Sequence, residues 1–221
     1  MTICLNTYEP LAFTGAGRKA WEKYHFPPFI DSSCRREPDF QSKFPSITAL
    51  CRKDKFAPKR EEGDIIIYIS YKGKYDFDFI QDRPDESHWR LVAILEVIKR
   101  CEPHQEAEAW YKRKNLPPPY NCMVQGTKPF PLDQTCPLPS EHKSLQDWDQ
   151  SYWDTAKIHS VFLICTAQHL NLSNPPALTE KMSCKFFGCT PKGHPHGTQN
   201  PYCRIKQAQL NDLKRFYNIR V

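Results

Sequence analysis

The chain has 221 residues, with 31 Lys and Arg against 25 Asp and Glu, a formal charge of +6 and a 39% hydrophobic fraction. At about 100–200 residues per domain, that predicts one domain with enough apolar material for a core. The longest apolar run, within Asp64–Ser70, is far short of the ~20 residues of a membrane helix, which excludes membrane-spanning, coiled-coil and collagen-like classes.

The predicted elements alternate along the chain. Thr2–Tyr8 is a strand; its start, Met-Thr-Ile-Cys, has no basic flank or long apolar segment and so does not read as a secretory signal. Gly17–His25 is a short helix carrying Trp21 and Tyr24. Ser46–Cys51 and Asp64–Tyr71 are strands, the second introduced by a Gly63-Asp64 turn. The unbroken Ile65-Ile66-Ile67 predicts cover on both faces of that strand. Trp89–Lys99 is another such strand, with Glu96 facing outward or into a polar pocket.

Pro103 then stands at a first helical position, and a helix follows over His104–Leu116 with early glutamates and late lysines and arginine, the order the helix dipole favours. Pro117-Pro118-Pro119 ends it. Ser144 reads as the cap of a helix to about Ile158, with Trp148, Tyr152 and Ala156 at four-residue spacing. Ser160–Thr166 is a strand, and a last helix covers about Lys206–Tyr217. Residues 26–45, 117–143 and 171–204 read as irregular, rich in Pro, Asn, Ser or Gly; loops this long in a compact domain are more often functional than inert. The pattern is α+β: a curved, mostly antiparallel sheet with helices outside it.

Ten cysteines are scattered with no Cys-x-x-Cys pair, which predicts a reduced, cytoplasmic protein without a disulfide framework. Cys51, Cys101 and Cys165 read as small hydrophobes at strand-like stretches. Charge is uneven: residues 1–60 carry +5, 61–115 carry −3 and 116–221 carry +4. The densest basic stretch holds Arg52, Lys53, Lys55, Lys59 and Arg60 within nine residues. Beside a pocket it would suit a phosphate backbone; alone it is a solvated loop.

Several of these segments together resemble a family. Lys59-Arg-Glu-Glu-Gly63-Asp64-Ile-Ile-Ile-Tyr68-Ile-Ser70 is similar to the Gly-Asp strand of EVE-type domains in the PUA-like superfamily. Trp89-Arg-Leu-Val-Ala-Ile-Leu-Glu-Val97 resembles the strand after it. Ser32-Ser33-Cys34-Arg35-Arg36-Glu37-Pro38-Asp39-Phe40 and Pro45-Ser-Ile-Thr-Ala-Leu-Cys51-Arg52 are similar to nucleotide-modification-associated relatives. The resemblance covers roughly residues 1–115. It implies a single PUA-like domain over 1–221, its core formed by 1–115 and about 158–166, with 116–157 and 167–221 as helical and loop additions. It further implies a small curved β-barrel whose concave side accepts one base, often modified; members read modified DNA or RNA bases, and a few hydrolyse modified nucleosides.

Such a pocket needs an aromatic surface for stacking, fixed donors and acceptors for the base edge, and cations for phosphate. In the polar loop, Ser33, Arg35, Arg36 and Asp39 offer hydroxyl, guanidinium and carboxylate groups in close succession; the plainer reading pairs Arg35 with Glu37 and Arg36 with Asp39 at the surface. By resemblance, Tyr68 and Ser70 face the pocket mouth. Trp89 is a stacking platform or ordinary core, and Trp148 and Tyr152 read as helix packing. Cys34 between Ser33 and Arg35 is a candidate low-pKa thiolate. Cys184, Cys189, His194, His196 and Cys203 offer five soft ligands in twenty residues, but their spacing is irregular for tetrahedral zinc, and the reading adopted is a metal-free, turn-rich loop. No nucleotide-binding glycine loop, zinc-protease or serine-hydrolase motif is present.

The expectation is therefore a module binding nucleic acid or a modified nucleotide, with no cofactor, no metal and no membrane partner. Ser33, Arg35, Arg36, Asp39, Tyr68, Ser70 and Trp89 would hold the base; Arg52, Lys53, Lys55, Lys59 and Arg60 would hold phosphates. The alternative is a hydrolase or transferase on a modified nucleotide, with Asp39, Glu96 or Asp149 as general base. A weaker third reading is an interaction protein of a phage or mobile element.

Overall fold

Residues 1–78, 80–135, 137–188 and 205–219 are described in the computed structural model. Fifteen regular elements lie among them, four of them short 3-10 turns. Six are strands: β1 (Ile3–Tyr8), β2 (Ser46–Thr48), β3 (Ile65–Ser70), β4 (Trp89–Cys101), β5 (Phe162–Leu170) and β6 (Ala177–Leu178). Five are helices: α1 (Gly15–Tyr24), α2 (His104–Arg113), α3 (Leu145–Ile158), α4 (Glu180–Phe187) and α5 (Gln207–Phe216). The strands form one sheet in the order β1-β3-β4-β5-β2, with β6 on β4. The β1–β3 pair is parallel and the others are antiparallel.

The sheet curls. Cys4 and Tyr8 on one edge strand and Ile47 on the other belong to the same buried cluster as Ile66, Tyr68, Leu95, Val97, Leu163 and Cys165. The opposite face carries Ile3, Leu5, Ile65, Ile67, Ile69, Leu91 and Ile94, covered by Phe186 and Phe187 of α4 and Leu210 and Leu213 of α5. The Ile65-Ile66-Ile67 run is thus buried on both faces, as its unbroken apolar character requires. Each such side chain contributes about 1.5–3 kcal/mol by leaving water.

The Gly63-Asp64 pair has a local explanation. Gly63 takes φ +86°, which a glycine adopts without the Cβ clash. Asp64 then accepts from the backbone N–H of Thr2 at 2.6 Å and of Glu61 at 3.2 Å, tying β1 to the start of β3. Ser144 caps α3 by accepting from the Asp147 N–H. At Gly17 a Cβ would stand 1.6 Å from the Leu11 carbonyl oxygen, so only glycine lets α1 pack on the preceding turn.

A bulge changes the phase of β4. Tyr68 pairs with Ala93, yet Ile69 pairs with Leu91, leaving Val92 as the extra residue. Val92 and Ala93 consequently both face the concave cluster, while Leu91 and Trp89 face the α4–α5 side.

Three expectations change. The stretch 171–204 is not wholly irregular: β6 and α4 lie in it, α4 capped by the Thr179 hydroxyl accepting from the Met182 N–H. The second strand ends at Thr48 rather than Cys51, because the Leu50 N–H turns back to the Thr48 hydroxyl at 3.1 Å. Cys51 is accordingly an exposed turn residue, whereas Cys101 and Cys165 are buried. Cys4, Cys34, Cys51, Cys101, Cys122 and Cys165 are free thiols. No described helix is long and apolar enough to cross a membrane.

Candidate functional site

A cavity of about 290 Å³ opens on the concave side at the carboxyl ends of the parallel strands β1 and β3. It lies at the low end of the about 300–1,000 Å³ of small-molecule sites, the size of one ring system. Asn6, Thr7, Tyr8 and Glu9 come from the end of β1, and Tyr68 and Tyr71 from the end of β3. Ile47 and Thr48 of β2, the turn residues Cys51, Arg52 and Phe56, and the loop residues Asp31, Glu37 and Pro38 complete the wall. Strand alternation decides what β1 contributes: Cys4, Asn6 and Tyr8 share the concave side, while Ile3 and Leu5 enter the opposite core.

Two carboxyl groups dominate the cavity's polar chemistry. Glu37 is 8% exposed. Its Oε1 accepts from the Thr48 N–H at 2.8 Å; its Oε2 accepts from the Thr48 hydroxyl at 2.6 Å and the Asn121 amide at 3.0 Å. Burial pushes its pKa up to about 8 despite these hydrogen bonds, and the charge of Asp31 adds to the rise. Glu37 is therefore mostly protonated at neutral pH. Asp31 is 6% exposed, and burial raises it to about 6. Its Oδ1 accepts from the Ser33 N–H at 2.9 Å, the Ser33 hydroxyl at 2.5 Å and the Glu37 N–H at 2.9 Å. Its Oδ2 has no hydrogen-bond partner among the described residues.

The aromatic wall is rigid. Tyr8 donates its hydroxyl to the Phe29 carbonyl, and the Tyr8 and Tyr68 rings meet edge to face at 6.1 Å. Burial raises both phenols well above their ordinary range. At the turn, Arg52 donates through Nη2 to the Thr7 carbonyl at 2.6 Å and lies 5.8 Å from the Phe56 ring centroid. Lys53 and Lys55 follow it and are exposed.

The residues expected from sequence are only partly gathered here. Tyr68 and Arg52 line the cavity, and Ser33 stands one hydrogen bond behind it on Asp31. Arg35 and Arg36 are fully buried but committed elsewhere. Arg35 makes a two-pronged ion pair with Asp149 of α3 at 2.5 and 2.9 Å and donates to the Tyr120 carbonyl. Arg36 donates to the Asp31 carbonyl at 2.5 Å and stacks on Phe130 at 3.8 Å. The surface pairs Arg35–Glu37 and Arg36–Asp39 do not form among the ion pairs described. Asp39 accepts three backbone N–H groups, from Gln41, Ser42 and Tyr120, and holds its loop. Ser70 accepts from the Arg90 N–H and donates to the Tyr71 carbonyl.

Trp89 lies on the other face of the sheet, in the α4–α5 core. Alternation from Leu95 and Ala93 would bring it to the cavity side, and the Val92 bulge reverses that. Arg60 is buried and 5.6 Å from the Phe56 ring. Lys59 closes the short turn Ala57–Lys59 before it.

Of the candidate general bases, Asp149 is paired with Arg35 and Glu96 accepts from Gln168 at 2.9 Å; neither lines the cavity, nor does Asp39. Cys34 is a correction: burial, aided by the nearby Asp149 charge, pushes its thiol up to about 12, the reverse of a thiolate nucleophile. Trp148 and Tyr152 pack with Cys34, Leu50 and Met123 in a buried cluster, as helical spacing suggested. Of the soft-ligand set, Cys184 is exposed; Cys189, His194, His196 and Cys203 lie outside the described residues. Among the described residues no group of three His, Cys, Asp or Glu is placed to hold a metal ion.

Sequence reasoning missed Asn6, Asp31, Glu37 and Thr48. Asn6-Thr7 carried a signal: two polar residues inside an otherwise apolar strand. Glu37 carried none, since its burial depends on Thr48 and Asn121, the latter 84 residues away. No protein-family model, no curated protein and no solved structure matches the chain.

Proposed function

We propose that this chain is a nucleic-acid-binding module of PUA-like type that seats one base, in modified form, in the cavity at the ends of β1 and β3, with the strand passing over Arg52, Lys53 and Lys55. The observation that carries the reading is the composition of that cavity. A space of about 290 Å³ is bounded by Tyr8, Tyr68, Tyr71 and Phe56 for ring contact, by carboxyl groups for a base edge, and by a guanidinium on its wall. The two exposed lysines continue the positive charge outward from Arg52.

Anisotropy of a labelled single-stranded oligonucleotide between 50 and 200 mM salt tests this. Three phosphate contacts give a slope of log K against log salt of about −2. Exchanging Lys53 and Lys55 for glutamate should flatten the slope by roughly 1–2. Absence of binding, or binding indifferent to salt, refutes the proposal.

One observation favours a second reading, an enzyme acting on a modified nucleotide. Glu37 is protonated near neutral pH beside a second carboxyl, the arrangement of an acid–base pair. Glu37 would then give its proton to a leaving group as Asp31 accepts one from water. Turnover of nucleotides by the wild-type chain, abolished by Glu37→Gln, would establish this reading; no turnover of any nucleotide offered excludes it for those substrates.

A further inference from the structure

The cavity's hydrogen-bonding groups are unevenly distributed, and the unevenness constrains what can occupy it. Asp31 is nine-tenths buried and lines the wall. Three donors from its own loop saturate Oδ1, while Oδ2 has no partner among the described residues. An accessible carboxylate oxygen on a cavity wall without a protein donor is a position where an occupant's N–H or O–H can replace water. Neighbouring groups do not supply it. The Tyr8 hydroxyl is given to the Phe29 carbonyl. The hydroxyl and N–H of Thr48 and the amide of Asn121 are given to Glu37. Arg36 reaches the Asp31 carbonyl rather than its carboxylate. A donor at Asp31 Oδ2 therefore has to arrive with the ligand.

We infer that the cavity takes its heterocycle by an exocyclic amino group donated to Asp31 Oδ2, and so selects amino-bearing bases over their oxo counterparts. This rests on the reading of the cavity as a base site and specifies which edge is read. An oxo group in the same place would set a carbonyl oxygen against a carboxylate, leaving both unpaired. Sites built around a buried polar group discriminate strongly against ligands that lack its partner. Arg52 lines the same cavity, and with only Nη2 engaged its guanidinium can receive the ligand's phosphate.

The test compares matched nucleotides on the full chain at pH 7 by calorimetry: cytidine against uridine 5′-monophosphate, and adenosine against inosine 5′-monophosphate. Within each pair the amino compound should bind about 10- to 100-fold more tightly. Asp31→Asn should bring the members of each pair to within about threefold, because an amide can present either oxygen or nitrogen. Equal or tighter binding of the oxo compounds overturns the inference, as does a preference that survives Asp31→Asn. The wild-type comparison decides the matter even if that variant does not fold. Salt-dependent oligonucleotide binding without discrimination within the pairs removes this inference alone. Failure to bind any of the four nucleotides, together with failure to bind oligonucleotide, removes the nucleic-acid reading as well.

Discussion

Replacing Glu37 by glutamine changes a titrating group into a neutral one of the same shape, and the buried site makes the consequence calculable. In the unfolded chain a glutamate ionises near 4.5; in the folded protein Glu37 holds its proton to about 8. Between those values the folded state binds more protons than the unfolded state, so wild-type stability falls as pH rises. Each pH unit costs at most about 1.4 kcal/mol, so the loss from pH 5 to pH 8 is at most roughly 4 kcal/mol. The charges and titratable groups around this carboxyl are Asp31, Cys51, Tyr68 and Cys165, with Arg52 on the same wall. The glutamine variant keeps an acceptor for the Thr48 N–H but sets an amide donor against the Asn121 amide, a loss of about 1–3 kcal/mol at every pH. Urea unfolding followed by fluorescence at pH 5, 6, 7 and 8 should show the variant less stable at pH 5, with the deficit shrinking and reversing toward pH 8. A difference between the two proteins that stays constant within about 0.5 kcal/mol across the range would refute a buried, proton-bearing Glu37.

Other outcomes follow from the same geometry. Arg35→Ala leaves Asp149 without its partner and should lower unfolding free energy by about 3–5 kcal/mol; a loss below about 1 kcal/mol would mean a solvated pair instead. His104 accepts the Met123 N–H at its Nδ1, and burial lowers its pKa to about 4. Stability should therefore be lost as pH falls from 6.5 toward 4, and the imidazole NMR signals should not titrate above about pH 5; a midpoint near 6.5 contradicts this. Alkylation at pH 8 followed by peptide mass spectrometry should mark exposed Cys184 and spare Cys34. Labelling of native Cys34 at the rate of Cys184 would contradict a buried Cys34 thiol.

Much of the framework was legible because it depends on local pattern. The isoleucine run of β3, the dipole-ordered charges of α2, and the Ser144 cap each act within one element, and each element lies within a few residues of its expected position. α4 escaped because it is only eight residues long and sits among prolines and glycines, where its Thr179 cap is easily read as loop. The sequence displays the density of polar side chains in the loop 32–40 but not the role of each. Whether a guanidinium faces a ligand or an internal carboxylate depends on Asp149, 114 residues from Arg35. No spacing rule reaches that far. Arg35 and Arg36 hold the loop in place, while Glu37 directly after them lines the cavity.

The extra residue Val92 in β4 has a consequence for the strand's tolerance of change. From Ala93 to Val97 the odd-numbered positions belong to the concave cluster, whereas before Ala93 it is Val92 that does so and Leu91 and Trp89 that face the helices. The stretch from Trp89 to Val97 is therefore written in two reading frames joined at one residue. Substitutions there are judged site by site, but insertions and deletions are not: removing Val92 would merge the frames, turning an indole toward the hollow and sending Arg90 out beneath the helices. The number of residues in this stretch, as much as their identity, decides which of them face the hollow.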